Sequence, residues 1–488
     1  MSGGTAGRPA DLRARVAIDL GGESCRVSLL RWVNGEPQIR LVHRLANGPV
    51  FDRTAGVNGE LRWPLEEILA GVEAGLREAA EAAPEGVASI AVDGWAVDYV
   101  RLGLDGRHGE LPYCYRDIRT EAAKAEADRL ISAEELFALT GAQPLRINTA
   151  YQLFADRMTG RADAPWMMLP EYVLSWLGGR RVAEWTIASH TGLVDGRWRA
   201  WSAEVFARLG LDAGCAPEMV EPGTVVGRIA GPLVSLPAFR DTVLIAPACH
   251  DTASAIAAIS YEMTNSAYLV AGTWSLVGTV VDAPICTADA LAGGFTNQGS
   301  AVGGSLFHAN VNGMWLVKQC LEHWAGEGRK LELVELIEQA GKLAEPTEML
   351  RVDAAQLMLP GKMPGRIHAE LTREGKATIG DEPGNEAVLV RLILSSLARR
   401  YSEVIAELKR LTGRRLERIV LLGGANRNEL LVKLTERATG LGVVLGPAEG
   451  STLGNLAVQL AVSDGQGLTA VGVRRWAERL SRAAFYNE

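Results

Sequence analysis

Four short segments set small residues beside a side chain that can hold or move charge, and each follows an apolar run. The first is Asp19-Leu20-Gly21-Gly22-Glu23-Ser24. Glycines at such a tip let backbone amides approach a phosphate, and the acid can hold a magnesium ion through water; a tight turn with a solvated Asp has the same composition. In His250-Asp251-Thr252 the acid stands at a strand-to-helix junction. There it either caps the helix or acts as a general base, its charge favoured by the helix N-terminus, taking the proton of a hydroxyl that attacks phosphorus. His250 suits a hydrogen-bonded or substrate-contacting role better than a metal ligand. Gly272-Thr273-Trp274-Ser275 either offers a glycine and a hydroxyl to transferring phosphates or is a hairpin turn with Trp274 in the core. Gly423-Gly424-Ala425-Asn426 leaves room for a flat ring on the backbone, or for close helix-to-strand packing.

The elements around these segments alternate strand and helix, an α/β pattern. Residues 15–31 read as strand, Gly turn and strand, a hairpin with an acid at its tip. Residues 64–83 carry Leu65, Ile68, Leu69, Val72 and Leu76 at helical spacing, with Pro64 at the start and Glu66-Glu67 in the first turn. VASIAVDGW and VDYVRL follow as strands, and TVLIAPA at 242–248 is a buried-strand pattern feeding an Ala/Ile-rich helix. A domain boundary is expected inside that run, near residue 245. Residues 267–281 repeat the strand, turn and strand layout of 15–31, a faint sign of an internal duplication. A long helix over 386–411, a strand at 419–422 and a last clear helix at 452–462 complete the pattern.

Composition narrows the function classes. At 488 residues, 48% hydrophobic and 22% charged, the chain exceeds what one core organises, so two domains are expected. Lys and Arg total 50 against 58 Asp and Glu, a formal charge of -8, which disfavours a nucleic-acid partner. Residues 1–14, MSGGTAGRPADLRA, read as a loose tail and not a signal peptide, and no apolar run reaches membrane length. Cys25, Cys114, Cys215, Cys249, Cys286 and Cys320 form no Cys-x-x-Cys pair, which suits a reducing cytoplasm. Neither G-x-x-x-x-G-K-[ST] nor a G-x-G-x-x-G opening a βαβ unit is present, so a P-loop or Rossmann nucleotide site is a poor fit. Gly-rich turns in both halves fit a nucleotide lying between two domains.

In their order along the chain the segments resemble the FGGY family of carbohydrate kinases, in the actin and hexokinase-like (ribonuclease H-like) fold group, and most of all its rhamnulokinase branch. The resemblance runs from residue 16 to about residue 462. VAIDLGG (16–22), VDGWAVDYV (92–100), Tyr115-Arg116-Asp117 with Arg119-Thr120, and NTAYQL (148–153) carry it in the first half. HDTASA (250–255), GTWSLVG (272–278), NVNGMWL (310–316), GGANRN (423–428) and STLGN (451–455) carry it in the second. It implies an α/β fold of two such domains, 15–245 and 246–488, with a catalytic cleft between them. It also implies Mg2+-dependent transfer of the ATP γ-phosphate to the 1-hydroxyl of a ketose such as L-rhamnulose. By position Asp251 matches the catalytic base, with His250 and Thr252 beside it at the sugar and Trp95, Ala96 and Asn310 as further sugar contacts. Asp19 matches the acid that helps hold Mg-ATP, and Asp19 and Asp251 are the metal candidates. Gly22, Glu23, Ser24, Cys25 and Arg26 form the first ATP turn, Gly272 and Thr273 a second phosphate contact, Gly424 and Ala425 the adenosine turn, and Lys318 lies near ATP.

Four departures from the rhamnulokinase pattern are visible. Gly22-Glu23-Ser24-Cys25-Arg26 stands for Ala-Ser-Ser-Gly-Arg, and an anion at Glu23 repels phosphate unless it binds magnesium or points away. Gly94-Trp95-Ala96 replaces Thr-Trp-Gly in the sugar pocket, Lys318 replaces a Gln, and Ala425 replaces a glycine. Another ketose, of the fuculose, erythrulose or xylulose type, and a sugar-binding regulator without turnover are the alternative readings.

Overall fold

A computed structural model of the protein describes residues 10–53, 59–161, 164–465 and 467–487. Of the expected 1–14 tail, residues 1–9 lie outside the described residues, and Ala14 already begins a strand. The chain then builds a first sheet from β1 (Ala14–Leu20), β2 (Ser24–Val33) and β3 (Glu36–Ala46), paired antiparallel in that order. β1 is buried along its whole length, as a continuous apolar run in a central strand should be. Helix α1 (Leu65–Ala82) crosses over on a stripe of Leu65, Ile68, Leu69, Val72, Leu76 and Ala79, and Glu66 and Glu67 favour its N-terminus. It delivers β4 (Val87–Gly94) parallel to β1. β5 (Thr224–Arg228) and β6 (Val243–Ala246) complete that side, β6 parallel to β4, before the short helix α2 (Asp251–Ala257).

The second sheet begins with the hairpin of β7 (Ser266–Ala271) and β8 (Trp274–Val281), followed by β9 (Phe295–Gly299) and β10 (Ser305–Asn312). Helices α3 (Trp315–Gly326) and α4 (Glu386–Thr412) lead to β11 (Arg418–Leu422), which lies parallel to β7. Helix α5 (Glu429–Thr439) then returns the chain as β12 (Gly442–Leu445), parallel to β11. The second sheet runs β9-β10-β8-β7-β11-β12, and the first runs β5-β6-β4-β1-β2-β3 with one more strand beyond β3. Five strands in each lobe therefore follow one order: fifth, fourth, first, second, third.

The helix that follows the fifth strand of each lobe packs on its counterpart. Helix α6 (Gly450–Ser463) approaches α2 so closely that a Cβ on Gly454 would lie 1.7 Å from the Ser254 carbonyl oxygen. α6 also reaches the first sheet: Gln459 Nε2 donates to Val16 O (3.0 Å), and Ser89 Oγ donates to Gln459 Oε1 (2.6 Å). Two elements beyond the expected last helix follow, α7 (Ala470–Leu480), which buries Trp476, and β13 (Ala484–Asn487), which joins the first sheet parallel to β3. The boundary expected at 245/246 cuts β6 before its last residue, and the chain's end returns to the first sheet, so the two lobes interleave.

Candidate active site

The register of the first sheet builds an acidic end. Asp19, near the end of β1, stands opposite Arg26 on β2 and opposite Asp93 on β4. Asp19 is buried; its Oδ2 accepts from Ser451 Oγ (2.7 Å) and lies 3.8 Å from Arg26 Nη2. Arg26 also donates to Glu449 Oε2 (2.6 Å). Asp93 is fully buried, its Oδ1 accepts from Asn455 Nδ2 (2.6 Å), and its Oδ2 has no hydrogen-bond partner among the described residues. Burial foremost, opposed by Arg26 and Ser451, holds the Asp19 carboxyl above its ordinary range. Burial and then the charge of Asp19 hold Asp93 well above. Adjacent buried carboxylates with an unfilled oxygen fit a divalent cation that keeps part of its water shell, as Mg2+ does. They do not form a compact cage: among the described residues, the one acidic or histidine trio with ligand atoms within 4.8 Å is His323, Glu327 and Asp381. In that trio Arg329 already pairs with Glu327 and Asp381.

The turn between β1 and β2 is braced by Asn47, which donates from Nδ2 to Gly21 O (2.8 Å) and from its backbone to Glu23 O (3.0 Å). Gly22 and Glu23 are exposed at its tip and Ser24 is half-buried. Cys25 is different: its side chain lies in the first core, where burial pushes the thiol up to about 12. An ATP contact at Cys25 thus falls to its backbone, because the strand's alternation turns the side chain inward. Glu23 is paired with Lys318 on α3 of the opposite lobe, Nζ to Oε1 2.6 Å, so two of the four departures neutralise each other.

The base candidate opens α2 directly after β6, with His250 as the residue before the helix. Asp251 Oδ1 accepts from the Thr252 amide (2.5 Å) and hydroxyl (3.2 Å), and His250 Nε2 lies 3.2 Å from the same oxygen. Oδ2 has no such partner among the described residues, and the side chain is 37% exposed. The enclosing protein, then the Asp19 charge, push this carboxyl up to about 7. The turn is gripped from behind: Glu184 Oε2 accepts from the Cys249 amide (2.8 Å) and Thr186 Oγ1 from the His250 amide (3.2 Å). In front, Gly94 donates to Cys249 O (2.9 Å) and Trp95 to Leu20 O (3.2 Å), so the Gly94-Trp95-Ala96 segment lies between the first turn and the base.

Trp95 and Ala96 are mostly buried. Trp95 Nε1 and Trp63 Nε1 both donate to Asp98 Oδ2 (3.0 and 2.6 Å), with the two ring centroids 4.4 Å apart. Val97 between them has φ +71, a conformation that strains a β-branched residue by about 1–3 kcal/mol. Its carbonyl accepts from Thr149 Oγ1 (2.8 Å) and Gln152 Nε2 (3.1 Å), which hold it there from the NTAYQL segment.

Apart from Lys318, the second lobe presents neutral groups. Gly272 O and Thr273 O accept from the Met314 and Trp315 amides (3.0 and 3.1 Å) as α3 begins, and Thr273 is half-buried at the hairpin tip. Trp274 is 40% exposed, which removes the reading that makes it core. Asn310 is exposed on β10, on the face it shares with buried His308. At the fourth segment Gly423 has φ +87, and a Cβ there would lie 2.6 Å from Ala271 O, so only glycine fits. Gly424 faces open space, and the Ala425 methyl is buried in the second core, away from any ring laid on the turn.

The expected residues thus fall on two lobes joined at the Glu23–Lys318 pair: Asp19, Gly22, Glu23, Ser24, Arg26, Trp95, Ala96, His250, Asp251 and Thr252 on one, Gly272, Thr273, Asn310, Lys318 and Gly424 on the other. Asp93, Ser451, Asn455, Glu184 and Thr186 belong to the same constellation without having been singled out. The first three lie inside segments of the family resemblance, Asp93 in VDGW and the other two in STLGN, but their place in the site comes from partners far along the chain.

Comparison with known proteins shows the family and the fold. Residues 14–258 match the profile of the FGGY family of carbohydrate kinases, N-terminal domain, and residues 267–462 that of its C-terminal domain. The chain is 32% identical over 468 residues to a rhamnulokinase of Bacteroides thetaiotaomicron, covering 95% of this chain and 93% of that one. It is 33% identical over 457 residues to a rhamnulokinase of Enterococcus faecalis, covering 92% and 89%. Among solved structures, a ligand-bound xylulose kinase from Lactobacillus acidophilus superposes with a TM-score of 0.78 at 15% identity, over 95% of this chain and 92% of that one. Plasmodium falciparum glycerol kinase with ADP superposes with a TM-score of 0.73 at 13% identity, over 98% and 94%.

Proposed function

This chain belongs to the FGGY family of carbohydrate kinases, and we propose that within it the protein transfers the γ-phosphate of ATP to the 1-hydroxyl of L-rhamnulose. The observation that carries the reading is the asymmetry of Asp251: Oδ1 is held by Thr252 while Oδ2 is left for a substrate hydroxyl. A carboxyl near neutrality is matched to taking an alcohol proton as the alcohol attacks phosphorus. Phosphoryl transfer asks the protein mainly for positioning and charge neutralisation. Asp19, with Asp93 beside it, would hold the Mg2+ of Mg-ATP, whose charge offsets that of the phosphates. Arg26 balances Asp19 and Glu449, and Lys318 screens Glu23 from the nucleotide. Thr273 and the open Gly424 turn serve the phosphates and the adenosine. His250, Thr252, Trp95, Ala96 and Asn310 enclose the sugar. Closure of the lobes excludes water and suppresses ATP hydrolysis.

The curated rhamnulokinases that the chain resembles support L-rhamnulose as the sugar. The buried methyl of Ala96, and Gly94 where that branch has threonine, make a related ketose the second reading, because one buried polar group gained or lost discriminates sugars strongly. A coupled ADP-release assay over a ketose panel tests both, with 31P NMR of the product to locate the ester. L-Rhamnulose is expected to give the highest kcat/KM and a phosphate coupled to the C1 methylene. ADP release stimulated by no ketose, in protein that still binds ATP, would overturn the kinase reading.

A further inference from the structure

A neutral histidine carries its proton on one of two ring nitrogens, and in a buried site its neighbours decide which. Three side chains stand in line behind the base. Gln298 Nε2, on β9 of the second lobe, lies 3.0 Å from His190 Nδ1. His190 Nε2 lies 3.1 Å from His250 Nδ1, and His250 Nε2 lies 3.2 Å from Asp251 Oδ1. The two links through His190 are hydrogen bonds with room for one proton each, and the His250–Asp251 approach is an electrostatic contact. An amide nitrogen only donates, so His190 Nδ1 must accept, which puts the His190 proton on Nε2. That proton occupies His250 Nδ1 and leaves the His250 proton on Nε2, facing the carboxylate.

The opposite amide orientation would reverse every link and set a His250 lone pair against Asp251. An ionised carboxylate repels that arrangement, so the charge of the base selects the first direction. His250 is buried and His190 is half-buried between it and Gln298, surroundings that disfavour a charged ring, so each holds a single proton as the chain requires. The frame is rigid: Thr186 holds the His250 amide, and Ser189 Oγ accepts from Gly299 N (2.8 Å) next to Gln298.

We propose that His190 and Gln298 are positioning residues that fix His250 as its Nε2–H tautomer, so that Asp251 Oδ1 faces an N–H dipole and not a lone pair and Oδ2 is left as the basic oxygen. This rests on Asp251 being the base. Because Gln298 and His190 come from opposite lobes, the line is complete only while β9 is seated on residues 184–190.

The test is 15N NMR of full-length protein labelled at histidine, with the His250 ring assigned by a His250→Gln spectrum. The proton of His250 is expected on Nε2. In His190→Phe the tautomer is expected to become mixed or reversed, and kcat to fall about tenfold, less than the roughly hundredfold or more that loss of an acid–base group costs because only its positioning is lost, with the KM for ATP unchanged. His190→Gln keeps an amide donor and should restore both the tautomer and most of kcat. A His250 proton on Nδ1 in the wild-type protein would overturn the proposal, as would His190→Phe with wild-type tautomer and kcat. If His190→Phe does not fold, the wild-type spectrum decides. The spectrum reads the tautomer whether or not Asp251 is the base, which turnover of Asp251→Asn decides separately.

Discussion

Both lobes run their five central strands in one order and follow the fifth with a helix, yet they equip the first hairpin differently. In the first lobe the hairpin carries Asp19 beside Asp93 and Arg26. In the corresponding hairpin of the second lobe the tip is Gly272-Thr273, with no acid, and its inward hydroxyl, Ser275, bonds Tyr401 OH (2.8 Å). One scaffold thus gives a charged wall and a wall mostly of glycine and hydroxyl, to which the proposed function assigns metal and proton on one side and the nucleotide on the other. The sheet order sets where a strand end points, and the residues at that end set what it does.

The contrast can be broken most severely where the lobes touch. Gly454→Ala places a methyl on the Ser254 carbonyl, so α6 and α2 must separate. Overpacking of this kind destabilises by about 1–3 kcal/mol, and here it also displaces Asp251, so Tm and kcat are expected to fall together. Thermal unfolding and turnover of the same preparation check this. Next, Asp19→Asn and Thr273→Val separate the two walls. The first is expected to lower kcat about 10²- to 10³-fold and raise the Mg2+ requirement. The second removes one hydrogen bond, about 0.5–1.5 kcal/mol, and should show as an increase in the ATP KM. Equal effects on kcat and KM in steady-state kinetics would erase the distinction.

The charged wall should also show in pH dependence. Asp251 is held at about 7, so the free enzyme loses its ionised base as pH falls through that value. kcat/KM for the sugar is expected to be about tenfold lower at pH 6 than at pH 8, and a profile flat over that range contradicts the assignment. The smallest effect belongs to the Glu23–Lys318 pair, 59% and 42% exposed, where solvent limits an ion pair to about 0–1 kcal/mol. Glu23→Ser should change the ATP KM by no more than about threefold. Lys318→Gln, which leaves Glu23 unpaired beside the phosphates, should raise it more, and the double variant should return toward wild type.

How much of this the sequence carried differs by region. The turns at 19–24, 250–252, 272–275 and 423–426 were legible because glycine or a cap residue ends an apolar run, a local signal. The α1 stripe and the β7–β8 hairpin were legible for the same reason. Asp93 was not, since its meaning comes from lying beside Asp19 in a parallel register set by a helical crossover. Ser451 and Asn455 reach Asp19 and Asp93 from more than 350 positions along the chain, which no local pattern encodes. Glu23 and Lys318 looked like two separate anomalies, and only folding makes them partners. The return of 484–487 to the first sheet has no sequence signature, because a four-residue edge strand has almost no pattern of its own.

Replacing the base alone is the most direct measurement. In Asp251→Asn, sugar-stimulated ADP release is expected to fall at least a thousandfold, within the range general bases contribute, while calorimetric Mg-ATP binding stays near wild type. Turnover within tenfold of the wild-type rate would contradict the assignment of Asp251 and the division of labour built on it.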